Sequence, residues 1–458
     1  MRPLHRLLLL VAVCGVTVAA GSAPGTRGMV ATEQSDATTV GLDVLRHGGN
    51  AIDAAVAAGY ALAVTDPCCG NLGGGGFMTI HLKDGRDTFI DFRERAPLRA
   101  TRDLYLDAQG NVVPGRSTRG YLAVAVPGTV AGLEKARAAY GTMAAADLIE
   151  PAFELARDGF RLSADDAAVF ADATAELAQT PQTRAIFTRG GAPLRAGTRW
   201  AQSDLAATLQ ALMRDGPLSF YHGPIAQRIV AASSAGGGIL SLEDLASYTA
   251  VERDPVTCRY RDYRIVSAPP PSSGGVTLCE ILGIIQSVPF AALGAASADG
   301  VHEVIEAERL AFIDRNTYLG DPDFVRDPIS ELLAPAYIAK QRARIGERAL
   351  RSADLAPGLG PREGKHTTHY SIADRFGNAV SVTYTINDDF GAYVVAPYTG
   401  FLLNDEMDDF TSKPGVPNMF GLVQGAANEI APGKRPLSSM TPTIALRNGR
   451  VAIVAGAP

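Results

Sequence analysis

Long basic runs are missing from this 458-residue sequence, which has 42 lysines and arginines, 48 aspartates and glutamates, and a formal net charge of −6. Nucleic acids and anionic membrane surfaces attract proteins through clustered positive charge. The absence of such clusters, in a chain with only 20% charged residues, argues against a nucleic-acid partner. The 47% share of hydrophobic residues is instead enough for a large buried core.

Apolar segments that could cross a membrane are also missing, because no stretch after the N-terminal leader reaches the roughly 18 apolar residues that a spanning helix needs. In the leader, Arg2 and Arg6 precede an apolar run at residues 7–20, and small residues follow at 21–23. This order is typical of a secretory signal peptide. We therefore expect residues 1–23 to be a signal peptide, the mature protein to be periplasmic or secreted, and no stable membrane span.

Cysteine is scarce as well: beyond the leader the chain has only Cys68, Cys69, Cys258 and Cys279. Their spacing matches no zinc-binding pattern, so the sequence predicts no metal site. The adjacent Cys68 and Cys69 are poor partners for each other. An oxidising compartment permits disulfides, but the sequence leaves the disulfide status of all four cysteines open.

The periodicity of apolar residues predicts helices at both sides of Gly48-Gly49, within residues 35–64, and the second helix is apolar nearly all round. Hairpins are predicted from 77–82 with 88–92, from 369–373 with 379–385, and from 443–446 with 451–455. The middle of the chain, about 98–363, is predicted to be largely helical. Strands at both ends of a helical body indicate an α/β layered fold.

A glycine run at residues 73–76 follows the second predicted helix. Such a run permits close backbone packing or exposes N–H groups. It lacks the Lys-Ser/Thr ending of a phosphate-binding loop, so the sequence does not predict a nucleotide site.

The Thr367-Thr368 pair begins a predicted strand, and taken alone it indicates little more than β-propensity. Several other segments, however, resemble the γ-glutamyltransferase family together with it. They are residues 367–371, 377–380, 383–387, 403–410 and 435–440, and, nearer the N-terminus, 48–51, 73–77, 93–94, 126–128, 306–309 and 319–322. The resemblance extends from about residue 30 to residue 458, and the combination is far more specific than any single motif.

The resemblance implies the N-terminal nucleophile hydrolase fold, a four-layer αββα sandwich, and a precursor that cleaves itself between His366 and Thr367. Residues 24–366 would form the large subunit and residues 367–458 the small one. Thr367 would then carry both the hydroxyl nucleophile and a free α-amine, whose usual pKa of about 7.7–8.0 lets it accept the hydroxyl proton. Thr385 matches the threonine that hydrogen-bonds this nucleophile in the family.

The implied substrate is glutathione or a related γ-glutamyl amide, and the acyl group passes to water, an amino acid or a peptide. Arg93 would bind the substrate carboxylate, with the hydroxyls of Ser438 and Ser439. The substrate ammonium would be bound by Asn387, Glu406 and Asp409. Each residue also has a simpler interpretation: Arg93-Glu94 as a surface ion pair, Glu406 and Asp409 as a solvated acidic loop, and Ser438-Ser439 as a turn. No metal or organic cofactor is expected.

Two alternatives remain open. One is a glutaryl or cephalosporin-type acylase, whose substrate has no ammonium; the acidic Asp409 argues against it. The other is a non-catalytic remnant, because the family's Gly-Gly oxyanion pair would follow Pro458, so the fold and the small subunit are expected to be incomplete at the C-terminus. The segment 413–420 resembles the lid of some members, with Phe420 where a tyrosine is common. Acceptor preference and the balance between hydrolysis and transfer are not specified by the sequence.

Overall fold

The computed structural model describes residues 27–352, 355 and 367–457. The helices are α1 (Ser35–Arg46), α2 (Ala51–Thr65), α3 (Thr129–Tyr140), α4 (Ala145–Asp158), α5 (Ala164–Leu177), α6 (Pro181–Phe187), α7 (Ser203–Asp215), α8 (Leu218–Tyr221), α9 (Pro224–Ala235), α10 (Leu242–Ala246), α11 (Gly274–Ile284), α12 (Phe290–Leu293), α13 (Ala298–Tyr318), α14 (Ile329–Leu332) and α15 (Pro335–Arg342). The strands are β1 (Gly28–Ala31), β2 (Gly75–His81), β3 (Asp87–Phe92), β4 (Phe160–Arg161), β5 (Thr188–Arg189), β6 (Ala192–Pro193), β7 (Arg199–Trp200), β8 (Val251–Arg253), β9 (Val256–Tyr260), β10 (Tyr263–Ser267), β11 (Thr368–Asp374), β12 (Ala379–Thr385), β13 (Thr443–Arg447) and β14 (Arg450–Ala455).

Two antiparallel sheets form the centre of the fold. One has six strands in the order β1-β11-β12-β2-β3-β8, and the other has four in the order β14-β13-β10-β9. The sheets pack face to face, with β13 and β14 against β2, β11 and β12. Helices α2 and α3 cover the outer face of the six-stranded sheet, and α11 covers the four-stranded sheet, with α13 packed on α11. This is the expected αββα order of layers.

Helix α2 is the most deeply buried helix, because every one of its residues from Ala51 to Thr65 is buried. Asn50 caps it by accepting hydrogen bonds from the backbone N–H groups of Ile52 and Asp53, and the Asp53 side chain accepts from the Asn50 N–H in return. An alanine-rich helix lets the sheet approach closely, since its side chains are short. The predicted buried helix is therefore confirmed.

The three predicted hairpins are all present as β2–β3, β11–β12 and β13–β14. The prediction of a largely helical middle was incomplete, because β8, β9 and β10 lie within it and two of them build the second sheet. Their alternating exposure, clearest in β9, gave only a weak apolar pattern in the sequence. The residues 1–23 predicted as a signal peptide, His366 and part of the connection before it lie outside the described residues.

A disulfide joins Cys258 in β9 to Cys279 in α11, with the two Cα atoms 5.9 Å apart. It links the four-stranded sheet to its covering helix, where the sequence had left the pairing open. Cys68 and Cys69 are free thiols. Among the described residues, the helices are too short or too polar to cross a membrane.

His369 in β11 makes the stability of the fold depend on pH. Its ring nitrogens hydrogen-bond the hydroxyls of Thr383 (2.8 Å) and Ser371 (3.0 Å), and burial lowers its pKa to about 4. The unfolded chain therefore takes up a proton that the native state refuses between about pH 6.5 and 4, so stability falls as the pH falls through that range. The loss can approach about 3 kcal/mol.

We expect the melting temperature of the native chain to fall more between pH 7 and pH 4.5 than that of a His369→Gln variant, which keeps a hydrogen-bonding amide but does not titrate. Parallel slopes in calorimetry at the two pH values would contradict this assignment. The comparison isolates His369, because all other titrating groups are common to both chains.

Candidate active site

The site forms where four strands of the large sheet end side by side. Thr368 pairs with Tyr384, Thr385 pairs with Gly75, and Gly76 pairs with Phe92. The start of β11, the end of β12, the start of β2 and the end of β3 therefore share one edge. Neighbouring strands lie about 4.8 Å apart, which places the backbone of Thr367 roughly 14 Å from that of Arg93, since three strand spacings separate them.

Thr367 lies immediately before β11, and Arg93 lies three strands away, directly after β3. Its hydroxyl donates a hydrogen bond to the hydroxyl oxygen of Thr385 at 3.1 Å. The same oxygen accepts a hydrogen bond from the Asn387 N–H at 2.9 Å. The predicted pairing of Thr367 and Thr385 is thus present in the structure, and Asn387 adjoins it.

The glycine run packs its backbone against these strands, as the sequence allowed. A Cβ on Gly74 would lie 2.0 Å from the carbonyl oxygen of Thr385, and one on Gly75 would lie 2.7 Å from the carboxyl group of Glu94. Side chains at these two positions would therefore displace β12 or Glu94. Close packing of the backbone against β12 and Glu94 is therefore what these two glycines permit.

Arg93 follows β3 and lies at the centre of a buried ionic cluster. Its guanidinium donates hydrogen bonds to the carboxylates of Glu406 and Asp409, and Glu94 lies 3.6 Å away. Side chains of Arg93 and Glu94 are completely buried, so the simpler interpretation of a surface ion pair is wrong. The interpretation of Glu406 and Asp409 as a solvated loop is wrong as well, because their side chains are only 1% and 13% exposed.

This cluster has more acidic groups than basic ones, because three carboxyl groups surround one guanidinium. Burial raises the pKa of Glu94 well above its usual range, and the charge of Glu406 adds to the effect. Burial also raises the pKa of Glu406 to about 7, against the opposing pull of Arg93. Burial raises the pKa of Asp409 as well, against the opposing charges of Arg93 and Arg315, and Asp409 is the most exposed of the three carboxyl groups. A cationic group entering beside Asp409 would relieve the excess.

The backbone around this cluster is fixed by asparagine side chains. Asn387 has a positive φ of 80°, and its side-chain amide donates to the carbonyl oxygen of Asp405 at 3.1 Å. Asn404 accepts from the Glu406 N–H at 3.1 Å and donates to the Gly73 carbonyl. Thr367, the glycine run and the acidic turn at Glu406–Asp409 are thereby held in one arrangement.

The segment that resembles a lid lies against the same residues. The backbone N–H of Met419 donates to the Asp408 carboxylate at 2.9 Å, and its sulfur lies 3.6 Å from the Asn387 amide nitrogen. Phe420 is partly buried beside it. Residues 413–420 therefore cover one side of the site.

Ser438 and Ser439 lie on the other side of the cluster. Arg93 donates to the carbonyl oxygens of Pro436 (3.2 Å) and Leu437 (3.5 Å) directly before them. The Ser438 hydroxyl accepts from the Met440 N–H at 3.2 Å, and this serine is buried. The structure thus brings all the predicted site residues, including Asn387 and the two serines, around one region at the edge of the sheet.

Arg315 of α13 is a residue that the sequence analysis missed. It is fully buried, and its guanidinium donates to neutral acceptors on Ser273 (3.2 Å), Gln424 (3.0 Å) and Ser439 (3.0 Å). Within the described chain, Arg315 has no carboxylate within ion-pair distance, yet Asp409 is close enough to act on it electrostatically. In the sequence it cannot be told from Arg309 on the same helix, since both follow acidic residues in a charged helix.

For the γ-glutamyl substrate that the family resemblance implies, we expect Arg315→Lys to raise KM about tenfold with a smaller change in kcat, because lysine keeps the charge but cannot hold Ser439 and Gln424 together. Steady-state kinetics would measure the changes in KM and kcat separately. Arg214→Lys, on an exposed arginine paired with Asp215, is the matched control and should change neither constant. An unchanged KM in a folded Arg315→Lys enzyme would contradict the positioning role.

Comparison with known proteins agrees with this geometry. A family model described as "Gamma-glutamyltranspeptidase" matches residues 37–458. The "Glutathione hydrolase proenzyme" of Pseudomonas sp. (strain A14) is 56% identical over 96% of this chain and 77% of its own length. Among solved structures, Helicobacter pylori gamma-glutamyltranspeptidase matches with 42% identity and a TM-score of 0.72, covering 74% of this chain and 98% of that one. Cephalosporin acylase from Bacillus halodurans matches with 28% identity and a TM-score of 0.83, covering 97% of this chain and 80% of that one. On this family match, supported by the arrangement of Thr367, Thr385 and the Arg93 cluster, the chain belongs to the gamma-glutamyltranspeptidase family.

Proposed function

We propose that this protein hydrolyses and transfers the γ-glutamyl group of glutathione and related γ-glutamyl amides through an ester on Thr367. The observation that carries the proposal is the position of Thr367 and Thr385 on the same sheet edge as a buried arginine–carboxylate cluster. A γ-glutamyl group has the matching ends: a reactive amide carbonyl at one end, and an α-carboxylate with an α-ammonium at the other.

The nucleophile becomes active when the peptide bond before Thr367 is broken, which gives residues 24–366 and 367–458 as large and small subunits of one precursor. The freed α-amine takes the hydroxyl proton while the hydroxyl oxygen attacks the γ-carbonyl carbon. The amide C–N bond then breaks, and the proton leaves with the amine product. Thr385, which accepts the Thr367 hydrogen bond, keeps the attacking oxygen in place.

In the second step the acyl-enzyme ester is cleaved, and the α-amine of Thr367 again carries the proton. Water or an amino-acid or peptide amine attacks the ester carbon, loses a proton to the α-amine, and releases glutamate or a new γ-glutamyl amide. The Thr367 hydroxyl is restored. This cycle uses the chain's own groups for each proton transfer.

Recognition of the amino-acid end follows from the charges of the cluster. Arg93 binds the substrate carboxylate with its planar guanidinium, aided by the hydroxyls of Ser438 and Ser439. Asp409, the most exposed of the three carboxyl groups, binds the ammonium together with Glu406 and Asn387. The substrate thereby replaces the ion pairs that Arg93 makes with Glu406 and Asp409.

We further propose a periplasmic or secreted location, with residues 1–23 as the signal peptide. The Cys258–Cys279 disulfide supports it, since such bonds persist in oxidising compartments.

The direct test is to purify the chain and follow two readouts together. Gel electrophoresis with N-terminal sequencing of the smaller fragment should show a new terminus at Thr367. Release of nitroaniline from γ-glutamyl-p-nitroanilide should appear only as that fragment accumulates. Activity in a chain that stays intact, or a new terminus at another residue, would refute the proposed mechanism.

A second candidate activity is removal of glutaryl-type side chains, favoured by the fold shared with the Bacillus halodurans acylase. Asp409 and Glu406 argue against it, because a glutaryl group lacks the ammonium that would offset their charge. Turnover of glutaryl-p-nitroanilide at a rate equal to that of the γ-glutamyl compound would favour the acylase.

A further inference from the structure

A compact group of potential metal ligands lies behind the proposed nucleophile, in the turn between α2 and the glycine run. It consists of Asp66, Cys68 and Cys69, whose carboxylate oxygen and two sulfur atoms all lie within 4.8 Å of one another. The turn is tightly made, because the N–H groups of Cys69 and Gly70 both donate to the carbonyl oxygen of Asp66. The spacing of the cysteines in the sequence predicted no metal site, since it did not include this carboxylate.

The Asp66 side chain is buried with only part of its hydrogen-bonding capacity used. Asp66 is only 5% exposed. One of its carboxylate oxygens accepts a weak hydrogen bond from the Cys68 thiol at 3.3 Å, and the other has no hydrogen-bond partner among the described residues. A buried carboxylate oxygen without a partner is costly, and a bound cation is one of the few groups that satisfies it.

The surroundings favour a cation over an anion. The Cys69 thiol lies 3.8 Å from a carboxylate oxygen of Asp389, and Glu33 acts electrostatically on both Asp66 and Cys69. Cys69 is buried and Cys68 is partly buried. Two sulfurs with one carboxylate form a donor set suited to a thiophilic divalent ion.

We propose that Asp66, Cys68 and Cys69 bind one thiophilic divalent cation of the Zn²⁺ or Cd²⁺ class, at a site distinct from the ionic cluster of Arg93. Binding releases two protons, since each thiol becomes a thiolate, and forms two metal–sulfur bonds and one metal–oxygen bond. Tetrahedral zinc with bonds of about 2.3 Å to sulfur needs its sulfurs about 3.8 Å apart. The ligand atoms of Asp66, Cys68 and Cys69 all lie within 4.8 Å of one another, so side-chain movements of at most roughly 1 Å bring them to this spacing.

The site also adjoins the proposed nucleophile. The hydroxyl of Thr368 lies beside the Asp66 carboxyl group, although it makes no hydrogen bond of ordinary geometry. Thr368 directly follows Thr367. An ion on Asp66 is therefore expected to slow or alter cleavage before Thr367, a consequence that, unlike the binding itself, rests on the proposed function.

The experiment is a titration of the chain with Cd²⁺ without reductant, so that the Cys258–Cys279 disulfide stays closed. A Cys14→Ser substitution in every sample removes the leader thiol. We expect one Cd²⁺ per chain by equilibrium dialysis, a sulfur-to-cadmium charge-transfer band in the ultraviolet, and displacement by Zn²⁺ but not by Mg²⁺. Cys68→Ser and Cys69→Ser should each weaken binding about 100-fold or more, and Asp66→Asn about 10–100-fold.

Asp158→Asn, which removes an exposed carboxylate paired with Arg157, is the control and should bind as the native chain does. Absence of the charge-transfer band in the native chain overturns the proposal, and this measurement decides the matter even if a cysteine variant does not fold. Persistence of the band in both cysteine variants overturns it as well. Because these readouts do not involve activity, their failure is distinguishable from a failure of γ-glutamyl transfer.

Discussion

Replacing Thr367 with alanine is expected to leave the chain in one piece and to remove γ-glutamyl hydrolysis. The alanine supplies neither a hydroxyl to break the preceding peptide bond nor one to attack the substrate. Loss of a nucleophile typically lowers kcat by about 10⁴–10⁶. Electrophoresis and γ-glutamyl-p-nitroanilide turnover, measured on the same preparation, would show both effects together.

Thr39→Ala is the matched control, because Thr39 is exposed on helix α1 and its hydroxyl donates to the Ser35 carbonyl oxygen one turn earlier. It should be cleaved and active at the native rate. Thr367→Ser should retain part of both activities, since serine also offers a hydroxyl and, after cleavage, an α-amine. If Thr367→Ala were still cut before residue 367, the nucleophile of self-cleavage would have to be another group.

The parts of the site that the sequence predicted are those carried by strong local patterns. The hairpins β2–β3 and β11–β12 follow from alternating apolar residues around clear turns, and they deliver Arg93 and Thr385 to one sheet edge. Antiparallel pairing of β12 with β2 then brings these ends together. The catalytic roles of single residues came from the family resemblance, because a threonine at a strand start has no chemical signature of its own.

The parts that the sequence did not predict depend on contacts between distant segments. Arg315 meets Ser439 across 124 positions, and no local pattern encodes such a contact. Glu94 was considered only as part of a surface ion pair with Arg93, and its complete burial beside Glu406 depends on how the turn at Glu406–Asp409 folds over β3. Strands β9 and β10 form a local hairpin but were missed because their partly exposed residues give a weak apolar pattern, and the pairing of β10 with β13 is a contact between distant segments.

These distant contacts explain why Arg93 was expected to bind only the substrate. In the structure the same guanidinium already neutralises Glu406 and Asp409. A free γ-glutamyl amide therefore exchanges one set of ion pairs for another, and its two charges are taken up together. A substrate that has the carboxylate but no ammonium would also bind Arg93. It would bring no positive charge to take the place of Arg93 beside Glu406 and Asp409.

Asp409→Asn should therefore lower kcat/KM for γ-glutamyl-p-nitroanilide by roughly 30–1,000-fold, which corresponds to about 2–4 kcal/mol for a charged hydrogen bond in a buried site. The same substitution should change turnover of glutaryl-p-nitroanilide by less than about threefold, because that substrate has no ammonium to lose. The ratio of activity on the γ-glutamyl compound to activity on the glutaryl compound would therefore be smaller in Asp409→Asn than in the native enzyme.

Asp408→Asn separates this effect from general damage to the acidic turn. The Asp408 carboxylate bonds the Ser117 hydroxyl (2.6 Å) and the Met419 N–H (2.9 Å) instead of Arg93, so its loss should loosen the 413–420 segment and affect both substrates alike. Equal losses on the two substrates in Asp409→Asn would mean that Asp409 only supports Arg93. In that case the ammonium must be bound elsewhere, and the choice of a γ-glutamyl over a glutaryl substrate would not depend on this carboxylate.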